Sequence, residues 1–313
     1  MKTRNVAVID VGSNTIKLLV ASRSADGSLA ILQQVSDPTR IGSGIGSESP
    51  VLSRDSMLAG LATIAKLLDG ATVHSPSEIR IVATGAVREA ANGKEFANLI
   101  LQSTGHSAII LSGGEEASGI AAGLITDPAL ASHHDFLACD LGGGSMELIL
   151  VSARSARAKV SLPLGAVRLT ERFIAEPQKL VSERETEAIS EHVQTTLAAS
   201  EFPFPEASHL LVATGGAFAT ARAVLADREG IPFEKRSLLS RQDLTQLLQE
   251  ISSLSLDGRL DRFPSLPPNR ADVMPAALAC IVATLDHAHA SEVRNSLRNL
   301  RYGIAAELLA ENA

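Results

Sequence analysis

The 313-residue chain is 45% hydrophobic and 20% charged, with a formal net charge of −7 at pH 7. That ordinary globular composition excludes a disordered or fibrous chain, and the length accommodates two domains of common size. The acidic balance, with 3% aromatic residues and no Trp, argues against nucleic acid as a partner, because neither a basic face nor stacking rings are supplied. A small polyanion stays open. At a Debye length of about 8 Å, a local cluster of Arg, Lys and N–H groups outweighs charge scattered over the far surface. The only cysteines, Cys139 and Cys280, lack metal-type spacing, so a reducing, cytoplasmic setting is expected.

In chain order, residues 6–20, VAVIDVGSNTIKLLV, read as strand, tight turn and strand, with Asp10 ending the first apolar run. That run is too short for a signal-peptide core or a membrane span, so no membrane partner is expected. Residues 29–35 read as a third strand and 39–49 as a glycine-rich loop. Ser53 is the N-cap candidate for a helix with Leu58, Leu61, Ala65 and Leu68 on one face and a stop at Gly70. Residues 78–83 form a strand feeding Thr84 and Gly85. A second helix, broken or kinked near Gly93, carries Arg88 close to its start, where the helix dipole opposes a cation. A strand at 107–111 runs into SGGEEASGIAAG, whose Ser112 and Glu115 form a capping box. Glu116 has no such structural task.

The polar link at 127–135 places the domain boundary, giving units 1–126 and 127–313, with a terminal helix, 297–313, able to pack back on the first. In the second unit, residues 136–151, FLACDLGGGSMELILV, again read strand, turn, strand. Gly142, Gly143 and Gly144 lack a Cβ, so they can take φ > 0 and let backbone N–H groups converge on a phosphate, the other reading being an ordinary hairpin with a glycine-rich turn. Further along, Ser182 and Glu185 form a second capping box before a helix. A strand at 210–213 follows, then a helix from Ser240 with Leu244, Leu247, Leu248 and Ile251 at helical spacing. Proline-rich turns at 263–268 and 274–275 lead to an apolar helix at 276–288. A short strand near Val293 and a helix at 297–311 close the chain. The alternation of strand and helix marks an α/β fold.

The two hairpins align at one offset. Asp10 falls on Asp140, Gly12 on Gly142, Thr15 on Ser145, Lys17 on Glu147 and Leu18 on Leu148, and VATGA from Val82 repeats as VATGG from Val212 at the same spacing. Two independent matches at one offset mark a duplicated unit.

VAVIDVGSNTIKLLV, VATGAVREA, SGGEEASGIAAG, CDLGGGSMELIL, LPLGAVRLTERF, VATGGAFATA, ADVMPAALA and LRYGIAAELL, in this order, resemble the successive motifs of the exopolyphosphatase and guanosine pentaphosphate phosphohydrolase family. The resemblance spans nearly the whole chain. It implies the superfamily of actin, sugar kinases and heat-shock ATPases, two ribonuclease-H-like lobes and an interlobe active site. It also implies removal of a terminal phosphate from polyphosphate, or of the 5′ γ-phosphate from guanosine pentaphosphate (pppGpp), with a divalent ion, usually Mg²⁺. By motif position, Glu116 matches the base for the attacking water, Arg88 an arginine that contacts phosphate, and Asp140 and Glu147 carboxylates near the metal. Gly12, Ser13, Asn14 and Thr15, with Gly142, Gly143, Gly144 and Ser145, match phosphate-binding loops. A homodimer is expected on the resemblance alone. Some relatives continue into a further helical domain, and many carry Asp where Leu297 follows Ser296.

The residue types suit phosphoryl transfer, in which the protein positions groups and neutralises charge on a loose transition state. A carboxylate such as Glu116 can accept the proton of an in-line water. Mg²⁺ takes one or two carboxylates, with water and phosphate oxygens completing its shell. Gly215 and Gly216 could face an anion at a helix N-terminus or serve plain strand-to-helix packing. Arg298 and Arg301 read as a solvated face, with a basic rim for a polyanion as the other reading. His133 and His134 read as exposed loop residues. Polyphosphate hydrolysis is the first expectation and pppGpp hydrolysis the second. A kinase of the same superfamily and a sensor without turnover are the competing classes.

Overall fold

The computed structural model describes residues 4–205 and 209–311. The first three residues of the N-terminal stretch, and residues 312 and 313 of the expected terminal helix, lie outside the described residues. The chain divides into two compact units, Met1–His133 with Arg298–Ala313, and His134–Leu297.

The first unit opens with β1 (Asn5–Val11), β2 (Ile16–Arg23) and β3 (Leu29–Asp37), an antiparallel meander. Helix α1 (Arg54–Thr72) follows, capped by Ser53, whose side chain accepts from the Ser56 amide. Its buried stripe runs through Met57, Gly60, Ile64, Leu67 and Ala71, while Leu58 is exposed. The expected face was therefore turned about one position away from the core, and the helix passes Gly70. β4 (Glu78–Ala83) adds parallel to β1, and β5 (Ala108–Ile110) parallel to β4. Between them lie two helices, α2 (Gly85–Glu89) and α3 (Gly93–Thr104), in place of one kinked helix. A Cβ on Gly93 would sit 1.9 Å from the Val87 carbonyl oxygen, so the glycine permits the sharp joint. α4 (Gly113–Ile125) begins with the full capping box of Ser112 and Glu115.

In the second unit, β6 (Phe136–Leu141), β7 (Met146–Ser152) and β8 (Ser155–Leu162) form another antiparallel meander. α5 (Ala166–Phe173) and α6 (Glu183–Ala199) follow, the latter opened by the Ser182–Glu185 capping box. β9 (Leu211–Thr214) pairs parallel to β6. Next come α7 (Gly216–Glu229), β10 (Leu238–Ser240), α8 (Arg241–Ser252), α9 (Leu256–Arg262) and α10 (Met274–His287). Helix α9 carries no clear apolar period, and the sequence pattern assigns no element to that stretch. Pro275 stands in the first turn of α10, where a missing N–H costs nothing, so residues 274–275 begin the helix and do not form a turn before it. β11 (Glu292–Asn295) lies parallel to β9. α11 (Leu300–Ala310) returns to the first unit, against β1 and α4, and starts three residues later than its apolar pattern suggests.

The duplication is visible in the sheets. The first orders its strands β3-β2-β1-β4-β5, and the second runs β8-β7-β6-β9-β11 with β10 added at the edge. Asp10 faces Lys17 across the first hairpin, and Asp140 faces Glu147 across the second. Each unit also has a bulge in its third strand, Leu32 being extra opposite Val20 and Ala21 and Arg157 extra opposite Leu150 and Val151, so the second strands face the bulges at equivalent positions of the repeat.

Candidate active site

In the first unit, residues 12–15 turn the β1–β2 hairpin. The Arg40 amide donates to the Asn14 carbonyl and the Gly42 amide to the Ser13 carbonyl. A Cβ on Gly42 would approach the Ser13 Cβ to 2.6 Å, so the glycine-rich loop is sealed against the turn. Ser13 Oγ accepts from the Ala86 amide at 3.1 Å, tying the turn to α2. Four side-chain atoms here are buried without a hydrogen-bond partner among the described residues: Asp10 Oδ1, both terminal atoms of Asn14, and Thr15 Oγ1. Buried polar atoms are normally satisfied, so such a cluster marks a place for a ligand, ion or water. Burial raises the Asp10 carboxyl above its ordinary value, with Lys17 and Arg301 pulling it down.

Helix α2 then carries Arg88 towards α4. Arg88 Nη1 donates to Glu116 Oε2 at 2.5 Å and to the Leu111 carbonyl at 3.2 Å. Glu116 is 8% exposed. Because α2 has five residues, Arg88 stands in its last turn, where the dipole favours a cation. The argument that an unfavourable dipole at a helix start points Arg88 to a phosphate is therefore removed, and Glu116 does have a structural partner.

The second unit builds its turn differently from the expectation. None of Gly142, Gly143 and Gly144 takes a left-handed φ. Their role is close approach: a Cβ on Gly165 would lie 2.3 Å from the Gly143 carbonyl group. Over that contact the first amides of α5 are satisfied by the turn, Ala166 N–H on Gly142 O, Val167 and Arg168 N–H on Gly143 O. Arg168 Nε also donates to Gly144 O at 2.9 Å. The Gly142 amide closes the turn on Ser145 O at 3.0 Å.

The residue that requires φ > 0 is Gly215, at +100°; a Cβ there would lie 2.5 Å from Asp140 Oδ1 and from Leu141 O. Gly216, opening α7, lies directly under the Arg270 guanidinium, which a Cβ would meet at 2.0 Å. Glu147 is 1% exposed and accepts from Ser161 Oγ at 2.7 Å. Asp140 and Glu147 are directly opposed across β6 and β7, so both carboxylates leave the same face. Burial, together with Cys280, Asp140 and Glu147, holds the Cys139 thiol well above its ordinary range.

Among the described residues no group of three or more His, Cys, Asp or Glu could hold a metal. The residues nevertheless fit a divalent ion of the Mg²⁺ type, which needs only one or two carboxylates beside water and phosphate oxygens. The Asp140–Glu147 pair of the second unit offers two.

Sequence reading gives no site role to Arg168, Arg270 or Lys17. Lys17 was legible as the residue opposite Asp10 in a two-strand hairpin. Arg270 comes from a distant loop and carried no local signal. Arg301 is buried in the first unit, donating to the Leu18 carbonyl at 2.8 Å, and Arg298 donates to Thr126 Oγ1 and stacks on Tyr302, so neither belongs to a solvated helix face. His133 is half-buried and His134 exposed.

Two ribonuclease-H-like units, each with an acid-bearing hairpin turn held by a following loop, define an α/β protein of the actin-like class. The chain belongs to the Ppx/GppA phosphatase family, whose model matches residues 20–312. The guanosine-5'-triphosphate,3'-diphosphate pyrophosphatase of Vibrio vulnificus (strain YJ016) is 28% identical over 311 residues, 97% of this chain and 59% of that protein. The chain thus spans about three fifths of the length of such curated relatives. Among solved structures, the Aquifex aeolicus member of the Ppx/GppA family has a TM-score of 0.80 at 23% identity, covering 99% of both chains. An exopolyphosphatase from Cytophaga hutchinsonii gives 0.84 at 23% identity over 98% of both. At that identity the likeness is one of fold. No helix among the described residues is long and apolar enough to cross a membrane.

Proposed function

We propose that this chain is a phosphoanhydride hydrolase that removes the terminal phosphate of inorganic polyphosphate. The observation that carries the reading is the unsatisfied polar cluster of Asp10, Asn14 and Thr15, tied through Ser13 and α2 to the Arg88–Glu116 pair. In the first unit the Asn14 amide and Thr15 hydroxyl donate to phosphate oxygens, with the backbone amides of 12–15 as further donors, and in the second unit the amides of 142–145 offer donors of the same kind. Gly215 and Gly216 let the start of α7 approach an anion closely.

Glu116 accepts a proton from the attacking water as its oxygen bonds to the terminal phosphorus and the bridging P–O bond breaks. The shortened chain departs on that bridging oxygen. Arg88 fixes the Glu116 carboxylate and brings its guanidinium charge to the phosphate. Asp140 and Glu147 would hold the divalent ion. When bound, it neutralises negative charge on the phosphate oxygens.

A second reading, 5′-phosphate hydrolysis of pppGpp, is favoured by the name of the Vibrio relatives. Phosphate release from long polyphosphate, short polyphosphate and pppGpp, measured with Mg²⁺ or EDTA for the wild type and Glu116→Gln, separates the two. Release from polyphosphate, lost in the variant and in EDTA, is the expected result. Release from pppGpp alone moves the assignment to the second reading. ATP-dependent phosphorylation of a metabolite, or binding with no turnover, overturns both.

A further inference from the structure

Within the second unit a cavity of about 550 Å³ lies between α6 and α8, unrelated to either glycine-rich turn. Its volume falls in the range of about 300–1,000 Å³ usual for small-molecule sites. Apart from the Gln249 amide, the polar side chains of its lining accept more than they donate. Thr186 Oγ1 donates to Glu183 O, Ser190 Oγ to Thr186 O and Thr245 Oγ1 to Arg241 O, each at 2.9 Å. A hydroxyl has a single proton. With those protons spent on helix carbonyls, the hydroxyls offer the cavity only lone pairs.

Glu183 and Glu187 add two carboxylates at i and i+4, neighbours on one face of α6, and among the described residues neither makes an ion pair. Like charges at that spacing repel. No Lys, Arg or His lines the cavity. The last turn of α8 borders it and has no basic residue to balance the negative end of its dipole. Val181 and Leu248 supply an apolar strip. Finally, Ser252, 8% exposed, lines the cavity with an Oγ that has no hydrogen-bond partner.

We infer that this cavity binds an alkylammonium group, with aliphatic polyamines as its ligand class. The ammonium ends sit at Glu183 and Glu187, the methylene chain runs along Val181 and Leu248, and an N–H of the ligand satisfies Ser252. This reading does not depend on the hydrolase assignment, since none of these residues has a part in it.

The test is calorimetric titration of the whole chain with spermidine, in the absence of phosphate compounds, alongside an acetylated lysine-containing peptide and an uncharged diol of matching length. Saturable one-site binding of spermidine is expected, weakened at least about tenfold in Glu183→Gln/Glu187→Gln and abolished in Leu248→Arg, with the diol inert. Both variants alter surface or half-buried side chains, and circular dichroism checks their folding. Tighter binding of the peptide than of spermidine would transfer the site to a lysine side chain of a protein partner and overturn the polyamine assignment. Unsaturable binding, or equal affinity in the double variant, would overturn the site itself.

Discussion

Arg88 reaches across 28 residues of sequence to donate to Glu116 at 2.5 Å, and both side chains are largely shielded from solvent. The pair joins a five-residue helix to the first turns of α4 and fixes the only long acidic side chain there that is not used as a cap.

Removing one partner strands the other charge, so Arg88→Ala should cost about 2 kcal/mol of stability, below the full penalty of a completely buried pair. Glu116→Gln keeps a hydrogen-bond acceptor for Arg88 and should unfold within a few degrees of the wild type. Its phosphate release should nevertheless fall by roughly 10²–10⁴-fold. Thermal unfolding beside a phosphate-release assay checks both. A Glu116→Gln chain that hydrolyses at the wild-type rate would remove Glu116 from the mechanism.

Asp10 should set a pH dependence of stability. Its carboxyl is raised above the ordinary 3.8 by burial, against the pull of Lys17 and Arg301. Between 3.8 and its folded value, the folded chain holds more protons than the unfolded one. Its contribution is therefore fully present below 3.8 and is lost as pH rises through the folded value. Asp10→Asn should then melt higher than wild type at pH 7 without added ligand, the advantage shrinking towards pH 4, while losing phosphate release. A lower melting temperature for the variant at pH 7 would show that the two cations outweigh burial.

Gly215 offers a sharper test of how the second turn is built. Gly215→Ala forces a Cβ onto Asp140 Oδ1 and Leu141 O at a φ of +100°, which should destabilise by about 2–4 kcal/mol. Because Asp140 must move, any Mg²⁺-dependent rise in melting temperature should also be lost. Gly230→Ala, at φ +64° and ψ 29° with nothing near its Cβ, lies in the left-handed region and should cost only about 1–2 kcal/mol.

Arg259 is fully buried and donates to the carbonyls of Pro177, Lys179, Ile251, Leu254 and Ala271 at 2.9–3.1 Å. Arg259→Met should cost about 3–5 kcal/mol, because several carbonyls lose their donor in a dry environment. Lysine has its three donors on one point and cannot span that set. Arg259→Lys should therefore recover less than half of the loss in a denaturant melt.

The duplication was fully legible in the sequence, because an Asp closing an apolar run, a small-residue turn and a second apolar run recur at fixed spacing, and strand pairing follows from that local order. Both capping boxes were legible for the same reason: they span three residues. The buried face of α1 was not. Leu58, Leu61, Ala65 and Leu68 suggest one stripe, yet of these Leu68 alone is buried and the core otherwise takes Met57, Ile64, Leu67 and Ala71, because which stripe is buried depends on what lies beneath it.

The same division holds for the candidate site. Glu116, Arg88, the two turns and the opposed Asp140 and Glu147 could all be named from local pattern and resemblance. Left to tertiary structure were the reason for the glycines, the unsatisfied atoms of the first turn, and the arrival of Arg270 and Arg301 from distant segments. Strand, turn and cap are decided by neighbours along the chain, which a sequence states directly. Close backbone approach, burial and the partner of a charge are decided by segments brought together only on folding.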